Sequence, residues 1–144
     1  MGQLVWNPEW ETGFPRIDEQ HHQLLSQFND FLDAVHHDFH REHVTNVLDF
    51  LGDFLDAHCE EEEIQMLATN YPRFLEHKAF HDHLRSTVQR LAGASSQDPE
   101  AVAAGVVDFV MNWMEKHISI EDKLLAKHLI QFSQKGSTPE SLAG

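Results

Sequence analysis

Six polar side chains occupy positions where a helical core should be apolar. They are His21, His58, Glu62, His77, His81 and His117. The chain has 12 histidines in 144 residues but a single cysteine. Imidazole nitrogen and carboxylate oxygen are common metal ligands, so this composition points to metals bound by nitrogen and oxygen.

The spacing of these residues suits ligands that share a helix face. His58 and Glu62 are four residues apart, as are His77 and His81. Side chains at this spacing lie on one face of an α-helix, one turn apart. Each helix would therefore present its pair in one direction, as a shared site requires.

Burial makes a joint site the better explanation. A single core histidine is usually only hydrogen-bonded, and a lone pair of histidines four apart is common on exposed helices. Burying each unpartnered polar group costs about 2 kcal/mol or more, and a charged carboxylate costs far more. Because all four predicted helices carry such residues, a shared metal site accounts for them together.

A further carboxylate lies beyond His117, and two residues compete for the role. Glu121 has the regular four-residue spacing, whereas Asp122 is five residues away. Five residues turn an ideal α-helix about 140° away from the starting face. If Asp122 is the ligand, we expect a π-bulge or similar distortion across 118–121, a feature often found at functional sites.

The elements that must position these residues are four helices. Apolar residues recur at three- and four-residue steps from Asp18, from Val44, from Phe74 and from Val102. Asp18 is a plausible N-cap, and Asp98 before Pro99 is typical of a helix start. Short connections favour antiparallel neighbours. We predict an all-α, up-down-up-down antiparallel four-helix bundle without strands.

The ends of the chain have a different composition. Residues 1–17 contain prolines, a glycine and several aromatic residues, so we predict an irregular arm packed on the bundle. We assign residues 1–132 to one four-helix domain that includes this arm. The segment 133–144 is polar and is predicted to be a tail.

Composition excludes several classes of function. The formal net charge of −14 disfavours nucleic-acid binding, because it repels phosphate. No apolar run is long enough for a membrane-spanning helix, and the first residues do not resemble a secretory signal. We expect a cytoplasmic protein. Cys59 has no disulfide partner and is interpreted as an inert thiol.

Four segments together resemble the hemerythrin family, in particular its bacterial single-domain branch. They are Ile-Asp-Glu-Gln-His at 17–21, His-Cys-Glu-Glu-Glu-Glu-Ile-Gln-Met at 58–66, His-Lys-Ala-Phe-His at 77–81 and His-Ile-Ser-Ile-Glu-Asp at 117–122. The resemblance covers about residues 5–130. Cys59 and Leu84 stand where the family often has aromatic residues, which affects pocket packing but removes no ligand.

The resemblance implies a complete set of ligands for two iron ions. One iron would be bound by His77, His81 and His117. The other would be bound by His21 and His58. Glu62 and Asp122 would bridge the two, with an oxo or hydroxo group, and the resemblance thus favours Asp122 over Glu121.

This ligand set predicts reversible dioxygen binding. If both irons are six-coordinate, three bridging oxygens leave one position open on the iron with two histidines. We therefore expect an oxygen carrier, store or delivery protein rather than an enzyme. The alternatives are a di-iron enzyme that handles O₂, NO or peroxide, and an oxygen or redox sensor, which normally needs an output domain.

Several apolar residues near the ligands are predicted to exclude water from the oxygen pocket. These are Leu24, Leu25, Phe28, Phe54, Trp113 and Met114. The histidines at 36–43 are interpreted as a solvated patch, with a secondary metal site as the alternative. Glu60, Glu61 and Glu63 are assigned to a solvated face, although Glu63 could bond a ligand imidazole.

Overall fold

The computed structural model describes residues 3–135, and these form a helical bundle. The helices are α1 (Pro15–His37), α2 (Arg41–Ala68), α3 (Phe74–Ala94), α4 (Pro99–Asn112) and α5 (Lys123–Gln134). A ten-residue π-helix, Trp113–Asp122, joins α4 to α5 without a break. We call this π-helix the π segment. Together, α4, the π segment and α5 make the fourth long helix of the bundle.

Neighbouring helices run antiparallel, as predicted. The start of α1 meets the end of α2, where Gln20 contacts His58. The end of α2 meets the start of α3, where Glu62 contacts His77. The end of α3 meets the start of α4, where Leu91 lies against Gly105. No strand occurs within residues 3–135, so the predicted all-α fold class is confirmed there.

The first helix begins earlier than we predicted, and Asp18 is not its N-cap. Residues 15–17, predicted as part of the arm, are helical, and Pro15 occupies the first turn. Asp18 instead accepts hydrogen bonds from the Thr12 amide at 2.8 Å, the Thr12 hydroxyl at 2.7 Å and the Gly13 amide at 3.0 Å. Gly13 has φ +86°, a conformation that favours glycine. The Asp18 carboxylate thus fastens the arm to the helix.

The other ends of the helices agree in part with the sequence patterns. Asp98 accepts a hydrogen bond from the Ala101 amide, so the predicted start of the fourth helix is confirmed. The arm contains one short 3₁₀ turn, Pro8–Trp10. At the other end, α5 runs to Gln134, two residues beyond the predicted end of the domain. The rest of the predicted tail, 136–144, lies outside the described residues.

Two apolar clusters fill the bundle, and His21 in α1, Glu62 in α2 and Asp122 in the fourth long helix lie between residues of one cluster and residues of the other. The larger cluster includes Leu24, Phe28, Leu55, Leu84 and Trp113. The smaller cluster consists of Phe14, Ile17, Met66, Tyr71, Leu125, Ala126 and Leu129. Among the described residues, no helix is both long and apolar enough to cross a membrane.

Candidate metal centre

All seven side chains that the sequence singled out as ligands meet inside the bundle. His21 comes from α1, a pair from α2, a pair from α3, and His117 with Asp122 from the π segment. Each of the seven is at most 2% exposed. They form two groups whose donor atoms lie within 4.8 Å of one another, and Glu62 belongs to both groups.

Glu62 faces both groups through different oxygen atoms. Its Oε1 lies 2.8 Å from Nε2 of His77 and 3.1 Å from Nε2 of His81. Its Oε2 lies 3.0 Å from Nε2 of His58. A carboxylate placed in this way can bind one metal ion through each oxygen.

Asp122 divides its oxygens in the same manner. Its Oδ1 lies 2.9 Å from Nε2 of His117 and 3.2 Å from Nε2 of His77. Its Oδ2 lies 2.8 Å from Nε2 of His21. Both carboxylates therefore span the space between a group of three imidazoles and a group of two.

The spacing of these donor atoms suits ligands of a pair of metal ions, and several of the atoms do not make hydrogen bonds with one another. Adjacent ligands of an octahedral ion with bonds of about 2.1 Å are about 3 Å apart, which is the spacing seen here. Among the buried atoms that make no hydrogen bond within residues 3–135, six converge here: Nε2 of His21, His58 and His117, Oε2 of Glu62, and both carboxylate oxygens of Asp122. Buried polar atoms normally have partners, so their convergence supports metal binding.

The π segment explains how His117 and Asp122 reach the same place. A π-helix has i to i+5 hydrogen bonds, so residues five apart come onto one face. The distortion that we predicted across 118–121 is confirmed, and it extends over Trp113–Asp122. Glu121 points elsewhere and accepts hydrogen bonds from Nη2 of Arg73 at 2.9 and 3.2 Å. The structure thus brings Asp122, and not Glu121, to the other candidate ligands.

Side chains around the centre hold two of the imidazoles. Nδ1 of His58 lies 2.7 Å from Oε1 of Gln20, and Nδ1 of His81 lies 2.8 Å from Oε2 of Glu63. The hydrogen bond from His81 to Glu63 is one that we considered from the sequence. Gln20 was not predicted, because its residue type and position give no signal that it faces His58.

The assignment of Glu61 to a solvated face is only partly correct. Its carboxylate accepts hydrogen bonds from Nε of Arg16 at 2.7 Å and from Nε2 of Gln20 at 2.7 Å. Glu60 is exposed, as predicted. Three consecutive members of this acidic run, Glu61, Glu62 and Glu63, therefore contact other helices.

The electrostatics of the centre favour charged partners. Burial lowers the pKa of His77, but its contacts with Asp122 and Glu62 outweigh this and raise the pKa to about 10. Burial likewise opposes the charged form of His58, yet Glu62 raises the pKa of His58 overall.

The two carboxylates show the opposite shift. Burial and mutual repulsion raise the pKa of Glu62, but His58 and His77 outweigh them, so it lies well below its usual value. Burial also raises the pKa of Asp122, and His117, His21 and His77 lower it further than burial raises it. Both groups are therefore anionic, as metal ligands must be.

The six residues predicted to line an oxygen pocket are all buried in the larger apolar cluster. They are Leu24, Leu25, Phe28, Phe54, Trp113 and Met114. The Phe54 ring stacks on His58 with centroids 5.5 Å apart. Trp113 lies 5.9 Å from Phe54 and 6.4 Å from His58 by the same measure. An apolar wall therefore covers the centre on the side of His58.

The remaining polar residues do not form a second centre in the described part of the chain. His40 and His43 lie 5.7 Å apart by ring centroids, and His40 contacts Asp38 at 3.0 Å. Within residues 3–135, the two core groups are the ones that could hold a metal ion. Cys59 is fully buried, and burial raises the pKa of its thiol, which fits an inert side chain.

Comparison with known proteins gives a consistent result. Residues 12–129 match the family described as hemerythrin HHE cation binding domain. A bacteriohemerythrin of Clostridium acetobutylicum is 25% identical over 83% of this chain and 96% of that protein. Another, from Methylococcus capsulatus, is 29% identical over 86% of this chain and 95% of that protein. Hemerythrin subunit beta of Lingula anatina is 28% identical over 82% and 88%, respectively. No solved structure matches the chain.

Proposed function

We propose the function of this chain from one premise, that it belongs to the hemerythrin family. This family binds dioxygen at a di-iron site. We infer that the chain binds dioxygen reversibly, as a carrier, store or delivery protein in the cytoplasm. The observation that carries the proposal is the pair of ligand groups sharing Glu62, with Asp122 lying between them.

The residues of the centre divide between two iron ions. His77, His81 and His117 would hold one ion, and His21 and His58 the other. Glu62 and Asp122 would bridge them together with an oxo or hydroxo group. When bound, a ferrous pair supplies two electrons and, by the count of ligands, one coordination position on the side of His21 and His58.

The composition of the ligand set and the apolar side chains around it favour reversible dioxygen binding over catalysis. Di-iron enzymes in helix bundles typically use four carboxylates and two histidines, whereas this centre has two carboxylates and five histidines. Fewer anionic ligands stabilise the lower oxidation state. Phe54 and Trp113 lie over His58 and exclude water, which would otherwise deliver the protons that make oxygen binding irreversible.

Gas exchange on the reduced protein tests the proposal. The iron-loaded chain is reduced without oxygen, exposed to dioxygen and then returned to an inert gas, while its visible spectrum is followed. We expect a coloured form that reverts to the colourless reduced form over repeated cycles. The iron-free chain is the control.

An enzyme would behave differently in the same experiment. It would convert rapidly and permanently to the oxidised protein, with release of peroxide or water. That result would reject reversible binding while leaving the metal centre itself in place.

A further inference from the structure

Only two of the five core imidazoles donate a hydrogen bond through Nδ1 to the part of the chain that the structure describes. His58 donates to Gln20 at 2.7 Å, and His81 donates to Glu63 at 2.8 Å. Nδ1 of His21, His77 and His117 is buried without such a partner. Because His58 and His81 belong to different ligand groups, each group has one imidazole that is held by a residue outside the ligand set.

The two acceptors differ in charge. The orientation of the Gln20 amide follows from its second contact, because Nε2 donates to Oε2 of Glu61 at 2.7 Å and leaves Oε1 to face His58. His58 therefore meets a neutral oxygen. His81 meets the carboxylate of Glu63, whose side chain is only 18% exposed.

Positive charge also lies at different distances behind the two acceptors. Arg16 holds Glu61 with two hydrogen bonds, at 2.7 and 3.1 Å, and this ion pair is separated from His58 by Gln20. Arg85 approaches Glu63 only to 3.7 Å. Of the two outer carboxylates, Glu61 and Glu63, only Glu63 thus contacts a core imidazole directly, and its charge is the less completely neutralised of the two.

A carboxylate that accepts the Nδ1 proton makes an imidazole a stronger metal ligand than a neutral amide does. Its charge also favours a more positive metal ion nearby. We propose that Glu63 and Gln20 are positioning residues that make the two metal positions unequal. The ion held by His77, His81 and His117 would be oxidised more readily than the ion held by His21 and His58.

This inference rests on the proposed function, because it concerns iron in the same centre. It adds a reason for the asymmetry of the outer contacts. The ion on the side of His21 and His58 has the position that the ligand count leaves for dioxygen. A neutral acceptor behind His58 keeps that ion in the ferrous form, as dioxygen binding requires.

Two reciprocal substitutions test the inference. Glu63→Gln should raise the lower of the two one-electron reduction potentials, and Gln20→Glu should lower the higher one. Both narrow the gap between the potentials, but from opposite sides. The measurement is an optical redox titration of the iron-loaded protein.

Zinc affinity supplies a readout that does not depend on redox chemistry. Glu63→Gln should weaken zinc binding to the iron-free chain by roughly 10- to 100-fold, the usual cost of losing such an outer contact. Gln20→Glu should strengthen zinc binding. Competition with a chromophoric chelator measures both changes.

Matched controls carry the same charge changes at exposed positions. Glu60→Gln and Gln23→Glu alter α2 and α1 next to the tested residues without a contact to an imidazole, and we expect no shift in either. The inference would be overturned if both test variants shifted the reduction potentials in the same direction, or if neither variant shifted them. If the potentials shift as expected but oxygen cycling fails, the proposed function is wrong and the asymmetry stands.

Discussion

At the scale of single residues, the centre combines buried imidazoles and buried carboxylates that stabilise each other's charged forms. Contacts with Asp122 and Glu62 raise the pKa of His77 to about 10. Contacts chiefly with His58 hold the pKa of Glu62, and contacts chiefly with His117 hold the pKa of Asp122, well below the usual range. Metal binding must displace protons from the imidazoles, so the metal-free and metal-loaded proteins should respond to pH in opposite ways.

The metal-free protein should lose stability as the pH rises from about 6 to about 9. The raised pKa of His77 contributes stability that is complete below the unfolded value of 6.5 and is lost as pH approaches about 10. The lowered pKa values of Glu62 and Asp122 contribute stability above about pH 4 that is lost only at lower pH. Thermal unfolding of the metal-free chain across this range measures the effect.

Metal should reverse this trend, because neutral imidazoles bind it more tightly at higher pH. The increase in melting temperature on adding zinc should therefore grow between about pH 6 and about pH 9. A metal-free melting temperature that rises over the same interval would contradict the assigned charges.

Residue types and spacing identified six of the seven candidate ligands without any structure. The resemblance to a family selected Asp122 for the seventh place, where spacing left two residues open. The outer contacts were harder to predict, because Gln20 gives no signal of its own. Its role depends on which residue of α2 lies opposite α1, and helix periodicity does not contain that information.

At the scale of helices, the π segment decides which carboxylate enters the centre. Asp122 lies on the face of His117, and both its oxygens contact core imidazoles. Glu121 forms an ion pair with Arg73 instead. The two residues are adjacent in the π segment, but Asp122 faces the core imidazoles and Glu121 faces Arg73.

Substitution of these neighbours should have unequal effects on metal binding. Asp122→Asn removes the charge of a proposed bridging ligand, so we expect the loss of zinc affinity to exceed the roughly 100-fold cost of changing an outer contact. Glu121→Gln removes only a partly exposed ion pair and should change zinc affinity less than about threefold. Chelator competition measures both, and equal losses would contradict the geometry of the π segment.

The helix starts show where sequence patterns misled us. Asp18 has the residue type of an N-cap, but its carboxylate bonds Thr12 and Gly13 of the arm. The helix itself starts at Pro15, whose fixed φ suits a first turn. Asp18 thus bonds to the arm that precedes the helix and does not cap the helix itself. The π-helix was predictable because His117 and Asp122, which are five residues apart, can share a face only if the helix widens.

At the scale of the whole molecule, the bundle places its polar centre between two apolar clusters. All four long helices contribute candidate ligands, so a bound metal pair would cross-link the four helices. Apolar periodicity predicted the four helices, and the short connections between them predicted their antiparallel order. It could not show the division of the core into two clusters, which depends on how the helices pack around the polar residues.

Anomalous diffraction at the iron edge, from crystals of the iron-loaded protein, tests the central claim most directly. We predict two iron peaks inside the bundle, one within bonding distance of Nε2 of His77, His81 and His117 and the other next to Nε2 of His21 and His58. Glu62 and Asp122 should lie between the peaks, with one oxygen toward each. A single peak, or two peaks bound by other residues, would contradict the account.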